Sequence, residues 1–207
     1  GLHLDKLHLF RNYQYGHTKE ISELWLQFPN FFNNKFGKAL VQMPALENRT
    51  TIDFISKAFR LNELVTVMNK WDKIIFYPST PLLRKDHIKA EIDFLIELMV
   101  SLPPNNGLFI KMHPLMTETY MENYLRVPNA IIFKTAIPAE LIILNLKNSI
   151  ILSGWSTSLL TTNDTCNFYY NYPIYKKDKL LKQFRPANPT NYIVVIDSPS
   201  QVRFPSI

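Results

Sequence analysis

Glycine and cysteine are scarce in this chain of 207 residues. The five glycines, Gly1, Gly16, Gly37, Gly107 and Gly154, stand too far apart to form G-x-G-x-x-G or G-x-x-x-x-G-K-[ST], which excludes the dinucleotide fingerprint and the P-loop. The single cysteine, Cys166, excludes a disulfide framework and a zinc knuckle and fits a reducing, cytoplasmic site. No histidine lies near it in sequence and its position reads as the start of a buried strand, so it lacks the setting of a nucleophile. Apolar runs of about 18 uncharged residues, the length a membrane helix needs, do not occur. Residues 1–18 carry His, Asp, Lys and Arg where a signal peptide has its apolar core. A soluble protein, or one peripheral at the inner membrane face, is expected.

What is present is a globular composition, 46% hydrophobic, 13% aromatic and 19% charged, able to bury a core. The formal charge of +6 suits an anionic partner, whether a nucleotide, a phospholipid surface or an acidic glycan.

The texture changes along the chain. Residues 1–70 are aromatic and irregular, with Phe28, Phe31, Phe32 and Phe36 around Pro29. They close on a stretch, 51–70, in which Ile52, Ile55, Phe59, Leu61, Leu64, Val65 and Met68 recur at helical spacing and predict one helix or two. From Trp71 onward short apolar runs alternate with helix-length segments. The runs 73–77, 108–111, 130–133, 149–152, 167–170 and 192–196 read as strands. Between the first two, 85–101 carries an apolar stripe of Ile88, Ile92, Leu95, Ile96 and Met99, with Lys85, Lys89, Glu91, Asp93 and Glu97 around it. Pro138 opens a helix over 138–146, and 156–162 reads as a shorter one. The expectation is an α/β fold, a doubly wound and mostly parallel sheet over 71–207, preceded by a partial, helix-rich N-terminal region over 1–70.

In such sheets ligands bind beyond the carboxyl ends of the strands. The segments there are Pro78-Ser79-Thr80-Pro81, Lys111-Met112-His113-Pro114, Thr135 to Glu140, and Gly154-Trp155-Ser156-Thr157-Ser158. Lys111 and His113 are two apart and point the same way from a strand, and Pro114 forces an extended exit, so a cation and a hydrogen-bond donor face one anion. The plainer alternative is a solvated strand end. Gly154 permits a sharp turn, after which the hydroxyls and free N–H groups of Ser156, Thr157 and Ser158 form a phosphate seat; N-capping alone accounts for the same residues. Glu140, in a helix's first turn, either complements the dipole or grips vicinal hydroxyls of a ribose. Both roles stay open from the residues alone.

Ile110-Lys111-Met112-His113-Pro114, Ile137-Pro138-Ala139-Glu140 and Gly154-Trp155-Ser156-Thr157-Ser158-Leu159 resemble, in order and spacing, the HP, P-x-E and SS motifs of bacterial sialyltransferases of the lipooligosaccharide and polysialic acid type. Ile75 to Pro81, with Thr80 in its turn, is similar to the first strand and turn of their donor-binding domain. The resemblance spans about half of the chain, 72–172.

It implies a GT-B glycosyltransferase whose Rossmann-like C-terminal domain binds CMP-sialic acid without a metal or other cofactor. His113 would contact the donor phosphate and stabilise the leaving CMP. Thr157 and Ser158 would match the paired serines, with Ser156 a rival position. Glu140 would hold the ribose, and Lys111 the cytosine or phosphate. Pro114, Gly154 and Thr80 complete the implied donor site. Thr157 in the serine pair and Met112 between Lys and His depart from the family pattern. The general base would come from the N-terminal domain, where no D-D-G or D-x-D is found in residues 1–70, although His17, Glu20, Glu23, Asp53 and Glu63 are present.

A complete two-domain enzyme of this kind exceeds roughly 300 residues, so the chain is expected to be part of a longer protein or to have a reduced N-terminal domain. Two other readings stay open, an envelope transferase using CMP-Kdo or CDP-glycerol, and a non-catalytic nucleotide-binding module. The expected partners are the CMP-activated donor and a glycan acceptor, lipid-linked if the basic run Tyr175 to Arg185 (Lys176, Lys177, Lys179, Lys182) meets an anionic membrane rather than water. The aromatics from Phe168 to Tyr175 read as core rather than as a nucleic-acid stacking platform. Oligomeric state is left open, a homodimer included.

Overall fold

The computed structural model describes residues 22–26, 29–31, 37–44, 46–80, 85–114, 116–175 and 190–205. Phe28, Phe32, Phe36, His17, Glu20, Pro81 and the cations from Lys176 to Arg185 lie outside them. The chain divides into two compact units, Gly1–Glu47 and Asn48–Ile207. In the first, β1 (Glu23–Leu26) pairs in parallel with β2 (Ala39–Gln42), and a 3-10 turn, Pro29–Phe31, follows β1.

The second unit opens with α1 (Arg49–Ala58) and α2 (Leu61–Met68). Asn48 starts α1 by accepting the Thr51 N–H at 3.0 Å, satisfying one of the donors a helix start leaves open. Arg60, in the left-handed region at φ 54°, breaks the chain direction between the two helices. A six-stranded sheet then follows, made of β3 (Lys73–Pro78), β4 (Asn106–Lys111), β5 (Ala130–Phe133), β6 (Ile150–Ser153), β7 (Asn167–Tyr170) and β8 (Ile193–Val195). Every neighbouring pair is parallel. Its crossovers hold α3 (Lys85–Ser101), α4 (Glu118–Tyr124) and α5 (Ala139–Ile143), together with 3-10 turns at Thr157–Leu160 and Tyr172–Tyr175.

Strand order across the sheet is β5-β4-β3-β6-β7-β8, so the winding direction reverses between β3 and β6. This is the Rossmann-like doubly wound order. The central strands are apolar runs because helices cover both faces: β4 and β6 are buried along their whole length. On one face Ile75, Tyr77, Leu108 and Leu152 pack with Ile88, Leu95 and Tyr124 of α3 and α4. On the other, Phe76, Phe109 and Ile151 pack with Ile52 and Leu61 of the first two helices and with Leu141 and Ile142 of α5.

Two expectations change. The helices of residues 49–68 bury Ile52, Leu61 and Met68 against the sheet, so the unit boundary falls at 47/48 and an expected border at 70/71 lies inside the second unit. The helix expected over 156–162 is one 3-10 turn of four residues. A further helix, expected between the last two strands, falls mostly outside the described residues.

Candidate functional site

The carboxyl ends of β5, β4, β3 and β6 are neighbours across the reversal, and hydrogen bonds between their loops hold those ends in line. The Ser79 N–H donates to Lys111 O at 2.9 Å, and the Met112 N–H to Phe133 O at 2.9 Å, carrying the β3–β4 and β4–β5 ladders past the strands proper. The His113 N–H donates to Ser79 Oγ at 2.8 Å, so the exit of β4 is pinned to the exit of β3. Across the switch point the Ser153 hydroxyl donates to Pro78 O at 2.7 Å and accepts the Ser156 N–H at 3.3 Å. Neither Ser79 nor Ser153 stands out in the sequence. A serine after a strand is common, and only the topology shows these two fastening the strand ends.

Lys111 is two residues beyond Phe109, whose ring belongs to the α5-side core, so its side chain leaves the sheet on that face. It is buried. Burial lowers its pKa, while the Glu140 carboxylate acts the other way. His113 is half-buried, and burial first and the Lys111 ammonium second hold its imidazole below the ordinary 6.5. The structure therefore brings Lys111, His113 and Glu140 into one electrostatic neighbourhood. Glu140 is exposed, in the first turn of α5 after Pro138. Its carboxylate acts on the Lys111 ammonium, an interaction not foreseen from its sequence position. Pro114, the next residue after His113, is exposed.

The β6 exit is built differently from the expectation. A single 3-10 turn has little dipole to offer an anion, and one of its opening donors is already used: the Ser158 N–H donates to Ser156 Oγ at 3.3 Å. What the turn supplies is hydroxyls. Ser156 Oγ and Ser158 Oγ are hydrogen-bonded to each other at 2.8 Å, and the Tyr170 hydroxyl holds the Ser156 carbonyl at 3.1 Å. Thr157 between them is exposed. The hydroxyl pair that the fold brings together is thus Ser156 with Ser158, not Thr157 with Ser158. Gly154 is needed for space rather than for a left-handed turn: a Cβ there would stand 3.1 Å from the Tyr175 hydroxyl and 3.3 Å from Thr80 Oγ1. Thr80 itself is buried at 2% exposure, and its hydroxyl has no hydrogen-bond partner among the described residues.

Two concavities lie away from these loops. One of about 690 Å³ runs between α3 and α4, past Lys89, Tyr120 and Arg126. Another of about 450 Å³ sits beside Cys166 and Tyr192. Cys166 is buried, which raises its thiol pKa and disfavours the thiolate. Among the described residues no three His, Cys, Asp or Glu side chains gather closely enough to hold a metal ion, and no helix is long and apolar enough to cross a membrane.

Chemically, the loops at these strand ends carry an ammonium (Lys111, buried), an imidazole (His113, half-buried) and two mutually hydrogen-bonded hydroxyls (Ser156 and the buried Ser158) on either side of the sheet's switch point. That set can hold an oxyanion and stabilise charge that develops on it. Neither a scan against protein-family models nor a search of curated proteins returns a match for the sequence.

Proposed function

We propose that the Asn48–Ile207 unit binds a CMP-activated sugar, CMP-sialic acid in the first instance, and supplies the leaving-group half of a glycosyl transfer. What supports this reading is the placing of Lys111 and His113 at the exit of β4 and of the Ser156–Ser158 hydroxyl pair at the exit of β6, on either side of β3 at the reversal point of a six-stranded parallel sheet. The motif resemblance supports the choice of sugar nucleotide.

In the reaction, an acceptor hydroxyl oxygen forms a bond to the anomeric carbon while that carbon's bond to the phosphate oxygen breaks. The bonding pair leaves with CMP. Charge therefore grows on the phosphate, where Lys111 and the N–H of a neutral His113 meet it, and donors already in place need no reorganisation as it develops. Ser156 and Ser158 hold the phosphate's other oxygens. Glu140, exposed at the rim, takes the ribose hydroxyls when Lys111 turns to the anion. The acceptor's proton passes to a base outside this group of residues.

The test is the release of CMP from CMP-sialic acid in the presence of glycan acceptors, for the wild type and His113→Ala. Release that slows by about a hundredfold or more in the variant is expected. CMP binding with no release from any CMP- or CDP-activated donor would leave a binding module in its place.

A further inference from the structure

The α3 face of the same strand ends carries an ionisable group that this chemistry does not use. Glu91 was expected among the polar residues surrounding the α3 stripe, yet none of its surface is exposed. Its Oε1 accepts the Tyr124 hydroxyl from α4, and its Oε2 accepts the Tyr175 hydroxyl from the turn after β7. Other polar groups surround this pair of bonds. Tyr77 reaches it from β3, with Asn171 of the β7 exit beside the Tyr77 hydroxyl, and the His87 ring of α3 lies against Tyr175 at 5.3 Å. Burial raises the Glu91 pKa against the pull of the tyrosine hydroxyls.

Tyr175 has a second neighbour. Its hydroxyl fills the space where a Gly154 side chain would be, and its ring packs at 70° against Trp155, centroids 5.3 Å apart. One phenol thus touches both the buried acid and the two residues that lead into the Ser156–Ser158 hydroxyl pair. If that phenol loses its acceptor, the ring is free to leave the backbone it supports.

We propose that Tyr175, held by the Glu91 carboxyl, is a positioning residue for the turn of residues 154–158, fixing the spacing of the Ser156 and Ser158 hydroxyls; for ligand binding, this rests on that turn being the phosphate seat. The anion site is then set from the core side of the sheet, through a group no ligand touches. A purely structural role for Glu91 loosens all of its partners together. A positioning role acts on the turn in particular, so the two differ in where the protein opens.

The experiment is amide hydrogen exchange on the full chain, comparing wild type with Tyr175→Phe, Glu91→Gln and Tyr124→Phe, followed by calorimetric titration of each with CMP. Tyr175→Phe and Glu91→Gln are expected to speed exchange of the Ser156 and Ser158 amides by about tenfold, and Tyr124→Phe by less than about threefold, since it removes the other partner of Glu91 without touching the turn. CMP affinity should fall by about fivefold or more in the first two variants and hold in the third. Unchanged turn amides in Tyr175→Phe, or an equal rise in Tyr124→Phe, overturn the positioning role. If Tyr175→Phe does not fold, Glu91→Gln against Tyr124→Phe decides by the same amides. Should the wild type bind no CMP while the exchange pattern holds, the donor assignment fails and the positioning role stands.

Discussion

On the α5 face of the sheet, Lys111, His113 and Glu140 form a charged group that grades from a buried ammonium to an exposed carboxylate. On the α3 face, a few residues away, Glu91 is wholly buried and answered by tyrosine hydroxyls. The first group, partly desolvated, still reaches solvent through His113 and Glu140. The second has already exchanged its water for protein hydrogen bonds and can act only through the groups it holds. The same residue chemistry is therefore placed in opposite settings on the two faces, within reach of solvent on one and satisfied inside the core on the other.

Breaking the buried side should have the largest effect. Glu91→Ala leaves the Tyr124 and Tyr175 hydroxyls without their acceptor and opens a cavity, so unfolding free energy should fall by about 3–5 kcal/mol in urea titrations. On the charged side the loss should appear in function instead. His113→Ala should change stability by less than about 1 kcal/mol while, on the proposed reading, CMP release slows by about a hundredfold. Glu140→Ala should weaken CMP binding by about 1–3 kcal/mol with stability unchanged to within about 0.5 kcal/mol. An unaltered CMP affinity in that variant would remove the ribose role and leave Glu140 as the partner of Lys111.

pH sharpens the contrast by a smaller margin. The folded pKa of Glu91 lies above its ordinary 4.5, so the stability linked to its proton is present below that value and is lost as pH rises through the folded pKa. Thermal unfolding of the wild type should show that decline relative to Glu91→Gln, whose amide does not titrate. At His113 burial and the Lys111 ammonium hold the imidazole below 6.5, and a phosphate bound beside it would draw that value upward. CMP binding should then take up a proton and tighten as pH falls through that interval. His113→Gln should lose this increment, which separates it from protonation of CMP itself.

The strands were legible because covered on both faces they become short apolar runs, and 130–133 and 167–170 coincide with β5 and β7. That Lys111 ends such a run and that His113, Glu140 and Gly154 come after one, at the carboxyl side of the sheet, was legible for the same reason. Glu91 was not, although its spacing, three after Ile88 and four before Leu95, places it on the buried stripe; its charge argued against burial, and the tyrosines that satisfy it come from distant segments. The extent of the turn after β6 was hidden for a similar reason. Ser153 and Tyr170, from two strands, take up its backbone groups and hold it to a single 3-10 turn. The early helices pack with the sheet in the Asn48–Ile207 unit, whereas the change in composition at Trp71 marks only where the sheet starts.

The most direct test is calorimetric titration of the wild-type chain with CMP and with UMP, repeated with CMP on Lys111→Ala and His113→Ala. Selective CMP binding that weakens in both variants is the expected result. Equal affinity for CMP in the wild type and both variants would contradict a nucleotide site at the β3–β6 reversal, and so would the absence of binding by either nucleotide.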